Sequence, residues 1–165
     1  MKKILLALIL ILVASAPAAA EDSWSLGLGG QDGHSDSSKY AIGKGWAGFA
    51  RYEHYFAQDI SMGGVILPYT WEKSRSRELK GEDKLGAFVG IEGTLYLLRI
   101  QTISFLVRPG IGVTFREAKS DPALSFGYGF EEEIGQGFSI ELCGQHTFSP
   151  RERHDFLTAG LKYRF

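Results

Sequence analysis

From residue 22 onward the chain alternates apolar and polar positions with a period of two, which is the pattern of strands whose two faces meet different surroundings. It is clearest at 103–115. There Ile103, Phe105, Val107, Pro109, Ile111, Val113 and Phe115 share one face, while Ser104, Leu106, Arg108, Gly110, Gly112 and Thr114 share the other. The same alternation sets Trp24, Leu26 and Leu28 against Ser25, Gly27 and Gly29, and Leu124, Phe126, Tyr128 and Phe130 against Ser125, Gly127, Gly129 and Glu131. It returns in Phe138, Ile140 and Leu142 and in Leu157, Ala159, Leu161, Tyr163 and Phe165. Segments 45–56 and 60–72 are less regular, and helical periodicity is absent. The pattern predicts eight strands, at 22–30, 45–56, 60–72, 84–97, 102–116, 123–133, 138–148 and 154–165.

The links between these segments come in two kinds. Those near 57–59, 99–101 and 134–137 are tight, and those at 31–44, 73–83, 117–122 and 149–153 are longer and polar. An even strand count with long links at one end and tight turns at the other predicts an all-β fold, an eight-stranded antiparallel transmembrane β-barrel of the outer-membrane kind, with both termini on the tight-turn side. The competing reading is a soluble barrel with the apolar face turned inward. The polar face decides between them. It carries many glycines and charges of both signs: Arg51, Glu53, Glu92, Arg108, Arg116, Glu131, Glu141, Lys162 and Arg164. That mixture suits a narrow lumen filled by paired side chains, so an ion-pair network is expected to plug the interior with no open pore.

Residues 1–20 read as a secretory signal peptide, leaving 21–165 as the barrel domain. Lys2 and Lys3 are followed by an apolar run from Ile4 to Val13 and by Ala18, Ala19 and Ala20. Losing the two lysines leaves 16 basic and 19 acidic residues, a net charge of −3. That balance excludes an ordinary basic nucleic-acid binder. One cysteine, Cys143, excludes a disulfide framework and a cysteine-rich zinc module.

The segment Phe156-Leu157-Thr158-Ala159-Gly160-Leu161-Lys162-Tyr163-Arg164-Phe165, ending on a terminal aromatic, resembles the small outer-membrane β-barrel protein family. Arg108-Pro109-Gly110-Ile111-Gly112-Val113 and Phe126-Gly127-Tyr128-Gly129-Phe130 resemble that family's glycine-rich fifth and sixth strands. The resemblance implies location in the outer membrane of a Gram-negative-type bacterium. It also implies that Tyr163 and Phe165 form the signal read by the barrel assembly machinery. The family spans structural anchors, adhesins and lipid-modifying enzymes. Its lipid A deacylase branch carries a His-x-Ser-Asn motif on the seventh strand and a carboxylate on the eighth. His146 and Asp155 stand in comparable places and share outward parity, which makes them the base half of an ester-hydrolysing triad. Phe148 stands where the branch has Ser, the chain contains no Asn, and Ser149 is the remaining nucleophile candidate.

Two loops carry further signals. The run 73–83, with Arg151 and Arg153, has the arginine chemistry that pairs with phosphates of lipopolysaccharide. Asp32, His34 and Asp36 lie close together, without diagnostic metal spacing, in a loop that reads as polar and flexible. Trp24, Trp46, Tyr69, Trp71, Tyr163 and Phe165 sit near strand ends, where aromatic belts form. The expectation is a monomeric structural or surface-interaction protein of the outer membrane, with outer-membrane lipid as surroundings and no cofactor or metal. A lipid acyl hydrolase using His146 and Asp155 is the alternative.

Overall fold

A computed structural model describes residues 21–35, 41–42, 44–74, 82–116, 119–150 and 152–165. Period-two alternation has become β1 (Asp22–Ser35), β2 (Ala41–Ile42), β3 (Gly45–Ala57), β4 (Ile60–Ser74), β5 (Glu82–Ile100), β6 (Ile103–Arg116), β7 (Lys119–Gly135), β8 (Phe138–Phe148) and β9 (Glu152–Arg164). The eight long strands pair antiparallel with their sequence neighbours, β3 following β1 directly. β2 adds only two residues to the edge of β4. β1 also pairs with β9, from Ser23↔Arg164 to Ser35↔Glu152, so the sheet closes on itself as an eight-stranded antiparallel barrel. Closure leaves no long free edge whose backbone groups would go unpaired in hydrocarbon.

The seam is tied at its lower end, where the tight turns lie. Asp22 N donates to Phe165 O at 3.2 Å and Phe165 N donates to Asp22 O at 2.9 Å. Those tight turns centre on 58–59, 101–102 and 136–137. Gln101 and Gln136 take positive φ there, as do Gly135 and Gly137. Register shifts at Tyr55/Ala57, Tyr96/Leu98 and Glu133/Gly135 each leave one extra residue, Phe56, Leu97 and Ile134, just before a turn. All three are exposed and apolar, so the bulges keep side chains directed outward at that end.

The link expected at 117–122 is shorter than the sequence suggests. β6 and β7 pair as far as Arg116↔Lys119. Ser120 and Asp121 alternate as a strand does, but with polar residues on both faces, so hydropathy reads them as loop. The 149–153 link contracts in the same way, with β9 beginning at Glu152.

The outer wall is apolar: Leu26, Leu28, Ile91, Ile111, Leu124, Leu157 and Leu161 are all exposed there. A patch of that extent is a liability in water and natural in hydrocarbon. Aromatics pair on it, as in Trp24 with Tyr52 (centroids 4.9 Å) and Phe138 with Tyr163 (4.7 Å). Tyr69 is not part of that belt. It is fully buried inside the barrel, because β4 places Val65, Leu67 and Tyr69 on its inner face. With Ala47, Phe49, Phe88, Ala123 and Phe156 they make an apolar cluster in the upper lumen. The rings fit because glycines pave the facing wall. A β-carbon on Gly90 or Gly112 would strike Phe88, and one on Gly86 would strike Tyr69.

Candidate functional site

Below the apolar cluster the lumen is ionic. Arg108 Nη2 donates to Glu141 Oε2 at 2.7 Å, and its Nε lies 3.8 Å from Glu53 Oε1. Arg51 donates to Glu92 Oε2 at 3.2 Å and to Glu141 Oε1 at 3.0 Å. Glu92 also accepts from Gln145 Nε2 at 2.6 Å and Ser125 Oγ at 3.0 Å. Lys162 Nζ reaches Glu53 Oε2 at 2.6 Å and Glu131 Oε2 at 3.1 Å. Thr94 donates to Glu53, and Tyr96 donates to Glu131 at 2.7 Å. Each of these charges is nearly or wholly buried, and each has an opposite charge beside it, as a low-dielectric interior requires. Arg164, half-buried at the lower mouth, lies over the Tyr55 ring at 4.2 Å. Arg116 sits at the upper mouth, donating to Asp121 Oδ2 at 2.8 Å and pairing with Glu152. Cys143 is buried beside Arg108.

The outward-facing candidate lies at the upper rim. His146 and Asp155 are directly opposed across the β8–β9 pair, with His146 Nδ1 2.6 Å from Asp155 Oδ1. Both side chains are about one-quarter exposed, 25% and 28%. Arg153 Nε donates to the same Asp155 oxygen at 3.0 Å, and its guanidinium lies 5.4 Å from the Phe148 ring centre. Tyr128 flanks the imidazole at 5.7 Å between ring centres. A histidine with its Nδ1 held by a carboxylate has the half-site geometry of a general base. Ser149 is otherwise engaged. Its Oγ donates to Glu152 O at 3.1 Å and accepts from Glu152 N at 3.3 Å, fastening the turn between β8 and β9.

Register brings in one residue that the sequence assigned elsewhere. Asp32 stands directly opposite Asp155 across the β1–β9 seam, on the outer face, rather than in a loop. Only closure of first strand onto last makes the two neighbours, and no local spacing encodes that. Asp36, Arg151, residues 75–81 and the side chains of His34 and Trp71 lie outside the described residues. Tyr163 and Phe165 both expose their rings on the outer wall at the lower end, stacked at 6.0 Å.

No protein-family model matches the chain. No curated protein sequence matches it. Solved structures do match in fold. Ail, the attachment invasion locus protein of Yersinia pestis, aligns over 90% of this chain and 100% of its own, with a TM-score of 0.58 at 17% identity. A second structure of Ail, in complex with the heparin analogue sucrose octasulfate, gives a TM-score of 0.58 at 19% identity over the same shares. Neisserial surface protein A aligns over 91% of this chain and 100% of its own, with a TM-score of 0.64 at 10% identity. The chain therefore has the fold of small eight-stranded outer-membrane β-barrels.

Proposed function

We propose that this protein is an outer-membrane β-barrel of a Gram-negative-type bacterium, freed of residues 1–20 as a signal peptide, with a structural or surface-interaction role and no open pore. One observation carries the reading: an apolar outer wall surrounds a lumen in which, among the described residues, an ionic tier and an apolar tier of side chains meet across the barrel. Such a wall calls for hydrocarbon, and such a lumen leaves no water column. In this reading the protein sits as a monomer in outer-membrane lipid, with lipopolysaccharide among the lipids at the upper rim. Tyr163 and Phe165 act as the signal for the barrel assembly machinery. The likeness to Ail and to Neisserial surface protein A supports this setting through the shared fold.

The experiment is fractionation combined with gel mobility and planar-bilayer recording. The folded protein is expected in outer membranes, as an SDS-resistant band that shifts on heating, without steady conductance. Recovery only from the soluble periplasmic fraction would refute the reading. Deleting Phe165 is expected to cut the heat-modifiable fraction in cells.

A second reading is supported by the 2.6 Å contact between His146 and Asp155. In it the protein is a lipid acyl hydrolase: His146 takes the proton of a nucleophile, and Asp155 holds the imidazolium. Ser149 would serve only after leaving its bonds to Glu152. Mass spectrometry of cellular lipids tests it. Loss of an acyl chain with the wild type but not with His146→Ala supports it, and identical lipid profiles from two folded barrels retire it.

A further inference from the structure

Cross-strand register aligns an apolar row on the outer wall: Ile91↔Ile111, Ile111↔Leu124 and Leu124↔Phe148, ending at Phe148↔Arg153. Five strands at about 4.8 Å spacing make this row roughly 19 Å long. It starts at the rim, since Phe148 is the last residue of β8 and Arg153 the second of β9. It ends near the middle of β5, because strands of such a barrel are tilted and the row slopes with them. A trough of about 790 Å³ follows it, walled by Ile91, Ile111, Val113, Leu124, Phe148 and Pro150.

The head of the trough is charged in a particular way. Arg153 gives only its Nε to Asp155, and among the described residues its two Nη groups bond no acceptor. Arg153 and Asp32 sit on adjacent strands, one diagonal apart, because Asp32 faces Asp155 and Arg153 is two residues before it. Such diagonal neighbours stand about 7–8 Å apart, with their β-carbons somewhat closer. Asp32 is part-exposed and bonds no partner among the described residues. A donor fork suited to phosphate and a carboxylate suited to an ammonium thus stand side by side at the mouth of an apolar trough. A purely anionic headgroup would face both Asp32 and Asp155, whereas a zwitterionic one meets complementary charge at both ends.

From this we infer that the outer wall holds a lipid with an amine-bearing phosphate headgroup. The phosphate sits on Arg153, the ammonium on Asp32, and one acyl chain lies along the row from Phe148 to Ile91. This rests on the outer wall facing lipid and gives that wall a specific occupant. A trough of about 590 Å³ on the opposite side, lined by Leu26, Trp46 and Ile66, serves as the internal control.

The test is native mass spectrometry of the full-length mature barrel released from detergent. The probes are dimyristoyl phosphatidylethanolamine, dimyristoyl phosphatidylglycerol and free phosphoethanolamine. The amine lipid is expected to be retained about tenfold better than the glycerol lipid, the equivalent of about 1.4 kcal/mol. Free phosphoethanolamine is expected not to be retained, because it lacks the chain. Asp32→Asn is expected to abolish the preference for the amine lipid, and Arg153→Ala to weaken both lipids. Ile111→Trp, which fills the trough, is expected to weaken both, and Leu26→Trp neither. Equal retention of the two lipids by the wild type overturns the inference, as does an equal effect of Ile111→Trp and Leu26→Trp. Retention of the headgroup alone overturns it too. A barrel that needs detergent yet shows no preference defeats this site alone, whereas a protein soluble without detergent defeats the membrane reading beneath it.

Discussion

The two halves of the lumen are built on the same strands with the same alternation, and they are filled by different chemistry, mainly ionic below and mainly aromatic above beneath the Arg116 pairs at the mouth. The lower half packs long charged side chains that cross the barrel and pair, with Arg108 reaching Glu141 and Glu53, and Lys162 reaching Glu53 and Glu131. The upper half packs Phe49, Tyr69 and Phe88 against glycines, with Phe156 against the Tyr69 ring. Alternation decides only which positions face inward. What fills them depends on whether the space is closed by length and charge or by flat area. A buried ion pair roughly breaks even against an apolar replacement, so its value is in orientation; buried rings contribute burial outright. The ionic tier should therefore be intolerant of losing one partner, and the aromatic tier of losing volume.

The largest effect is expected from Arg108→Met. It strips Glu141 of one of its two arginines and leaves Glu53 more dependent on Lys162, at a cost of about 3–5 kcal/mol in urea unfolding from micelles. A cost below about 1 kcal/mol would erase the distinction between the tiers. Phe88→Ala comes next, at about 3 kcal/mol, through the cavity it leaves over Gly90 and Gly112. Planar-bilayer recording of that variant is expected to remain silent, because the ionic tier still fills the section below.

A smaller cost, about 1–3 kcal/mol, is expected for Gly86→Ala, whose new methyl meets the Tyr69 ring. Only Tyr69 side-chain atoms stand nearest to that methyl, so the penalty should shrink by more than half in a Tyr69→Ala background. Additive costs in that double-mutant cycle would show that the glycine serves some other purpose. The smallest change belongs to Tyr69→Phe. The Tyr69 hydroxyl is buried without a hydrogen-bond partner among the described residues, so removing it should leave stability unchanged or raise it by about 1 kcal/mol.

The barrel was legible wherever one face was apolar and the other was not. β6 and β8 show this well, and parity alone put His146 and Asp155 on the outer face. It was not legible in β4, where Val65, Leu67 and Tyr69 point inward while Ile66 and Pro68 sit between them, so hydropathy is high at every position. Nor did it foresee the extended strand at Lys119–Asp121, where both faces are polar. The upper aromatic tier escaped for the same reason as β4: an apolar residue inside a polar lumen looks like one on the wall. The place of Asp32 beside Asp155 depends on closure between residues more than a hundred positions apart, and no window of sequence contains both.

The seam between β1 and β9 also sets a schedule. The first strand to leave the ribosome can find its second neighbour only after the last strand has arrived, down to Phe165, whose backbone ties to Asp22. Until then the growing sheet carries two raw margins, each able to recruit a foreign strand. Non-local pairing of this kind is slow. The sheet therefore becomes self-sufficient only in the event that joins β1 to β9.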